Sequence, residues 1–334
     1  VTTRIGINGF GRIGRAVFRI AHAREDIEVV GINDLADPHD LGYLLEYDSV
    51  HRHFGEPVGA ADDALIIGDR RIPFTRERDP AQIPWGRYGV DVVIEATGVM
   101  TKREDAAKHI DGGAKRVLIS APAKGEDATF VLGVNAGDFD PANHSVVSNA
   151  SCTTNCLAPV AKVLEDSFGV EHMLITTIHA YTISQAILDS PHPKDRRRGR
   201  TAAASIIPTS TGAARATAKV IPSLAGKLDG MALRVPVPNG SVTDIVVTLS
   251  RDTTIDAVLT ALREAAAGPM KGILDVSDAE LVSADIIGNP YSSIIDAKST
   301  MQIGARTFKL LSWYDNEWGY ANRCVDMAAL IGGA

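Results

Sequence analysis

Residues 4–34 constrain this chain more than any other stretch. Arg4-Ile5-Gly6-Ile7-Asn8 reads as a short apolar strand and Gly9-Phe10-Gly11-Arg12-Ile13-Gly14 as a tight turn. Arg15 to Ala21 has the spacing of an amphipathic helix, and Glu28 to Asp34 is a second strand ending in a carboxylate. A Gly-x-Gly-x-x-Gly turn set between strand and helix opens a doubly wound α/β domain. Its glycines let backbone approach a pyrophosphate, whose charge the helix start stabilises. Asp34 lies twenty residues after Gly14, where a carboxylate hydrogen-bonds ribose hydroxyls and repels a 2′-phosphate. The stretch therefore predicts a dinucleotide site that prefers NAD to NADP.

Further strands extend the sheet. Val90 to Ala96 leads into Thr97-Gly98, and Arg116 to Ser120 leads into Ala121-Pro122. Both end where ligands bind in open α/β sheets. Lys102 to Ile110 reads as a crossover helix between them, and Leu65 to Pro73 as a hairpin. Arg78 is placed to reach the adenine side of a cofactor, although an isolated Arg is more often simply solvated.

Ser148-Asn-Ala-Ser-Cys-Thr-Thr-Asn-Cys156 is the second informative stretch. Asn149 and Ser151 suit a helix N-terminus, which puts Cys152 in the first turn, where N–H groups and the helix dipole favour a thiolate. Most free cysteines are small buried hydrophobes. The polar neighbours favour a nucleophile at Cys152, while Cys156, in a Cys-x-x-x-Cys spacing, reads as packing. Met173 to Thr182 is a β-branched strand carrying His179 near its end. A lone His is weak evidence, but beside a thiolate candidate it becomes a base and ion-pair partner.

At 334 residues two domains are expected. Charged content of 22% with a net charge of −7 excludes non-specific nucleic-acid binding as a main role. Three cysteines without a pairing framework point to a reducing compartment. No apolar run reaches the ~20 residues a membrane span needs, and the chain starts on a strand without a signal-like segment. The expected location is the cytoplasm.

Beyond His179, Tyr181 to Ile207 is loop-like and carries a basic segment, Pro191 to Arg200. In an acidic chain this reads as an interface or a solvated face. Pro208-Thr-Ser-Thr-Gly212 precedes a helix over Ala213 to Val220 and can hold a phosphate or merely cap the helix. Arg234 stands among apolar neighbours and needs an anionic partner. Ser241 to Ser250 and Thr307 to Tyr314 are strands, with a helix over Ile255 to Ala267 between them. Many β-branched runs with few helices predict a mixed, largely antiparallel sheet. Glu317 to Ile331 is helical and must dock its apolar face.

Asn8 to Arg15, Ser148 to Cys156, Thr209 to Ala214, Arg234-Val-Pro236 and Trp313 to Tyr320 occur in one order. With these motifs the chain resembles the phosphorylating glyceraldehyde-3-phosphate dehydrogenases over essentially its whole length. The resemblance implies a Rossmann NAD-binding domain over 1–150, completed by a C-terminal helix at about 317–334. It also implies an α+β catalytic domain over 151–316. It further implies a homotetramer acting on glyceraldehyde 3-phosphate and inorganic phosphate with NAD, in glycolysis or gluconeogenesis. By motif match Cys152 is the nucleophile and His179 the base. Cys152 attacks the aldehyde, His179 takes the hydroxyl proton as hydride leaves, and phosphate cleaves the resulting thioester to 1,3-bisphosphoglycerate. Thr182 and Arg234 match one phosphate site, and Ser151, Thr153, Thr211 and Gly212 the other. Gly9, Gly11, Arg12, Ile13, Gly14, Asp34, Arg78, Thr97, Ser120 and Asn316 match cofactor contacts, Asn316 holding the carboxamide. No metal and no membrane partner are implied.

Ile183-Ser184 stands where the family usually has Asn-Asp, Ser205 where it often has Asn, Gly240 where it commonly has Val, and Ser190 where Leu is common. If Ile183, Ser184, Ser205 and Gly240 line one wall beside Cys152, they alter the room for something bulkier than the substrate, as in an isoform resistant to a Cys-alkylating inhibitor; neutral variation competes equally. Two further alternatives are an erythrose-4-phosphate dehydrogenase using water as acyl acceptor, and a secondary RNA- or protein-binding role for Arg196 to Arg200. The intact Thr209–Gly212 turn argues for phosphate as acceptor.

Overall fold

The computed structural model describes residues 2–193 and 195–333. Val1, Ala334 and Lys194, the last within the basic segment, lie outside the described residues. The chain divides into two compact units, one of Val1–Phe130, Ala136–Ala150 and Ala321–Ala334, the other of Val131–Asn135 and Ser151–Tyr320.

In the first unit a nine-stranded sheet is built around Thr3–Asn8. This strand pairs in parallel with Ile27–Asn33 on one side and Val92–Glu95 on the other, so strand order reverses at it. That reversal is where an α/β sheet opens a crevice at its carboxyl edge. Ile5, Ile7, Ile32, Val92, Val93 and Ile94 are buried, as continuous apolar runs must be in a parallel sheet covered on both faces. The expected hairpin forms from Ala64–Ile67 and Arg70–Thr75. Gly68 makes its turn at φ +57, a conformation that glycine adopts without steric cost. The expected crossover helix is interrupted at Ala107 into Arg103–Ala106 and Lys108–Asp111. In the C-terminal helix, Trp318–Gly332, the carbonyl of Ile331 accepts a 2.9 Å hydrogen bond from Arg116.

The second unit holds an eight-stranded mixed sheet. Its long strand Val170–Ala180 pairs in parallel with Leu228–Val235 and antiparallel with Ser241–Leu249, which continues antiparallel to Thr307–Tyr314. Along the long strand Met173, Ile175, Thr177 and His179 are buried, while Leu174 is exposed, the alternation a pleat requires. The helices Cys152–Phe168, Ala213–Val220 and Ile255–Ala267 pack against the sheet. Ser151 caps the first of them by accepting the Thr154 N–H at 3.1 Å, so Cys152 is its first residue. No helix among the described residues is long and apolar enough to cross a membrane.

Candidate active site

The glycine turn of the first unit is shaped for close approach. Gly9 has φ +92, and a Cβ there would meet the Thr97 nitrogen at 2.6 Å. A Cβ on Gly14 would press on the Gly9 carbonyl, whereas one on Gly11 would meet nothing within 4 Å. Gly11 begins the helix Arg12–His22, which no side chain caps. An open, uncapped start to an eleven-residue helix fits a pyrophosphate. Asp34 stands just past its strand and accepts the Phe10 N–H at 2.6 Å and the Ala36 N–H at 2.9 Å. These bonds aim the carboxylate beside the turn. The donor set and its shape fit NAD.

Other expected cofactor residues fall into different surroundings. Thr97 is tied to Glu95, which accepts both its N–H, at 2.9 Å, and its hydroxyl. Ser120 donates to the Glu95 carbonyl at 2.9 Å, and Arg78 is exposed. The Arg12 side chain is in an ion pair with Asp48. Burial acts to raise the Asp48 carboxyl, but N–H donors from His51 and Val50 and the Arg12 guanidinium outweigh it, giving about 2. Ile13 is partly buried in the first turn of the helix.

In the second unit the Cys152 sulfur lies 3.4 Å from His179 Nε2. His179 Nδ1 is 2.7 Å from the Ala180 carbonyl, an acceptor, and 2.9 Å from Arg234 Nη1, a donor; a proton on Nδ1 directed to the carbonyl leaves a lone pair on Nε2 facing the thiol. Arg234 follows from strand register, since it stands directly beside His179 on the parallel neighbour. It donates to the same Ala180 carbonyl at 3.0 Å, and its buried Nε has no protein partner.

Burial pushes the Cys152 thiol up, opposed by Arg234 and by hydrogen bonds from Thr153 and the Cys152 backbone. Burial, then Arg234, pushes His179 down to about 3. With nothing bound, each group is better neutral. Moving the proton from sulfur to Nε2 leaves the pair's total charge unchanged.

The Thr153 hydroxyl is 2.9 Å from the Tyr314 hydroxyl in the core and also hydrogen-bonds the Cys152 sulfur. Thr182 shares a 2.9 Å hydrogen bond with Ser184. Thr211 accepts the Ala213 N–H at 3.2 Å, and Gly212, with open space where a Cβ would stand, begins the helix Ala213–Val220. Asn316 accepts from Ser241 Oγ at 2.7 Å, and Ser241 in turn accepts the Ala180 N–H at 3.1 Å. Its placement beside the His179 strand was not visible in the sequence.

Two functional groups escaped the sequence reading. Tyr314 bonds Thr153 and, at 2.8 Å, Thr177, with its ring edge-on to His179 at 6.0 Å. Glu95 is the acceptor that fixes Thr97. The four departures from the family pattern do not share one environment. Ile183 is 92% exposed, Ser184 bonds Thr182, and Ser205 is partly buried. Gly240 has φ +86, with a Cβ there set to collide with the Ser283 carbonyl.

A largely parallel sheet with a glycine turn and a terminal acid, joined in one chain to a partly buried Cys–His pair, defines an NAD-dependent oxidoreductase. Comparison with known proteins narrows the class. Residues 3–103 match the family described as glyceraldehyde 3-phosphate dehydrogenase, NAD binding domain. Residues 151–316 match its C-terminal domain. The chain is 56% identical over 331 residues to glyceraldehyde-3-phosphate dehydrogenase of Geobacillus stearothermophilus, covering 99% of this chain and 98% of that one. It is 55% identical over 333 residues to glyceraldehyde-3-phosphate dehydrogenase 2 of Streptomyces arenae, covering 99% of each. Glyceraldehyde-3-phosphate dehydrogenase 1 of Bacillus subtilis is 55% identical over 331 residues, with 99% and 98% covered. The chain belongs to the glyceraldehyde-3-phosphate dehydrogenase family.

Proposed function

We propose that this protein oxidises glyceraldehyde 3-phosphate with NAD and inorganic phosphate to 1,3-bisphosphoglycerate, through a thioester on Cys152. The 3.4 Å approach of the Cys152 sulfur to His179 Nε2 carries the reading. In the first step His179 takes the thiol proton as sulfur attacks the aldehyde carbon. The helix-start N–H of Cys152 stabilises the oxyanion that forms. His179 returns that proton to the oxyanion, giving the hemithioacetal hydroxyl, and takes it back as the carbon is oxidised. NAD, when bound, supplies the hydride acceptor. Gly9, Gly11, Arg12, Ile13, Gly14, Asp34, Arg78, Thr97, Ser120 and Asn316 hold it, with Arg12 contributing through its place in the helix start. Arg234 and Thr182 receive the substrate phosphate, which gives the unpartnered Arg234 Nε an acceptor. Ser151, Thr153, Thr211 and Gly212 receive the attacking phosphate at two helix starts.

The protein works as a homotetramer in the cytoplasm. Leu174, Met231 and Val246 leave apolar side chains exposed on the sheet, and Ile183, Ile187, Leu188 and Ile206 do the same in the following loop, more than a lone chain gains by exposing. All three cysteines are free, as a reducing compartment keeps them. Nothing in the geometry favours an RNA-binding role, and the Thr211–Gly212 helix start suits phosphate as acyl acceptor better than water. The test is NADH formation from glyceraldehyde 3-phosphate with and without inorganic phosphate, with erythrose 4-phosphate as the competing substrate. A rate that depends on phosphate and is highest for glyceraldehyde 3-phosphate supports the reading. A phosphate-independent rate, or preference for erythrose 4-phosphate, overturns it.

A further inference from the structure

The carboxyl edge of the first unit's sheet contains a line of buried polar side chains that the reaction does not use. Trp85 Nε1–H donates to His109 Nδ1 at 2.9 Å. Indole can only donate, so the His109 proton sits on Nε2, which donates to Glu95 Oε2 at 3.0 Å. Asn8 Nδ2 donates to the same oxygen at 2.6 Å, and its Oδ1 accepts from Asn33 Nδ2 at 2.8 Å. Asn33 Oδ1 then accepts the Thr75 hydroxyl and the Glu77 N–H, each at 2.8 Å. Asn8, Asn33, Glu95, His109 and Trp85 are all buried. Three members adjoin a proposed cofactor residue, Asn8 preceding Gly9, Asn33 preceding Asp34 and Glu77 preceding Arg78. Glu95 binds Thr97 directly through both of that residue's donors.

We propose that this line of side chains is a positioning device for NAD, with Glu95 as its key. The proposal rests on the reading that the Gly9–Gly14 turn, Asp34 and Thr97 hold the cofactor. A carboxylate has acceptors only. Here one oxygen takes the two donors of Thr97 and the other takes Asn8 and His109. The strand ends carrying the glycine turn, the ribose acid and Thr97 are thereby held in one register. Apolar residues would fill the same space without the desolvation cost of five polar groups, but they would fix no direction for Thr97 against Gly9.

The test uses the full chain free of cofactor, with NAD affinity measured by calorimetry and intact folding by thermal melting. In Glu95→Gln either orientation of the amide sets a donor against two donors. NAD should bind about 10–100-fold more weakly, as one or two buried mismatches imply. The kcat at saturating NAD and the rate of iodoacetamide labelling of Cys152 without NAD should stay within roughly twofold, the pattern of a lost binding contribution. Asn8→Asp combined with Glu95→Gln returns an acceptor to face the amide while conserving charge, and should regain about tenfold in affinity. Asp34→Ala is the control for the underlying reading. If it leaves NAD affinity unchanged, the cofactor reading of this turn fails. If it weakens NAD while Glu95→Gln does not, the positioning proposal alone is overturned. Loss of affinity, kcat and labelling in proportion to lost folded protein would also overturn it, by assigning Glu95 a merely structural role. Should Glu95→Gln not fold, the double variant decides, and one that also fails to fold, or binds NAD about 100-fold more weakly than the parent, overturns the proposal.

Discussion

At Cys152 two tendencies compete. The helix start and Arg234 favour a thiolate, while burial favours the thiol, and the His179 lone pair at 3.4 Å is what lets a proton leave sulfur without a net charge being buried. Cys152→Ser should therefore lose nearly all activity while NAD still binds, because a hydroxyl has no comparable anion near neutral pH. Retention of more than a few per cent of the rate would end the assignment. His179→Asn should lower the rate by about 10²–10⁴. The midpoint of iodoacetamide labelling against pH should also move upward, since the thiol loses its acceptor; an unmoved midpoint would show the helix start sufficient by itself. Gly240 makes a separate prediction. Its φ of +86 and the Ser283 carbonyl beside it leave no room for the family's common Val. Gly240→Val should cost about 2 kcal/mol or more, read from the denaturation midpoint. A neutral effect would mean that the turn readjusts freely. The two side chains proposed as nucleophile and base were legible as residue types in the sequence. Their contact was not, because strand register and a helix start placed far apart in the chain bring them together.

At the scale of elements, the helix Arg12–His22 is tied at its first residue to Asp48. Asp48 titrates at about 2 in the folded chain against an ordinary 3.8. A carboxyl depressed on folding adds stability above its unfolded value and loses it as pH falls through the folded one. The melting temperature of Asp48→Asn should thus lie below that of the parent at neutral pH. The gap should close as pH falls from 3.8 to about 2, and a gap constant over that range would place the stabilisation elsewhere. Arg12 was legible as a turn residue, but its partner was not, because Asp48 lies in an irregular stretch without periodicity. Strands and long helices read well, as with Ile255–Ala267 and Thr307–Tyr314, whose apolar spacing was clear. The helix expected over Lys102 to Ile110 is broken at Ala107 instead. Side-chain direction was least legible. The Thr153 hydroxyl bonds that of Tyr314, 161 residues away in the chain, a contact that no local pattern announces.

For the whole molecule the central claim is that oxidation and phosphorylation are separate steps joined by an acyl group on Cys152. The geometry supports it through two features of the second unit, the Cys–His contact and the two helix starts at Ser151 and Gly212. The glycine turn made the NAD-binding class legible at once, since its strand, helix and terminal acid are all local in sequence. Choice of acyl acceptor was less open to reading, because it depends on how Thr211 and Gly212 present backbone rather than on residue type. The most direct measurement is rapid mixing of the NAD-loaded protein with glyceraldehyde 3-phosphate in the absence of inorganic phosphate. The account predicts a burst of NADH of one equivalent per chain and then near arrest, with an acyl adduct on Cys152 by mass spectrometry and turnover restored on adding phosphate. Steady NADH formation without phosphate, or a burst with no adduct on Cys152, would contradict it.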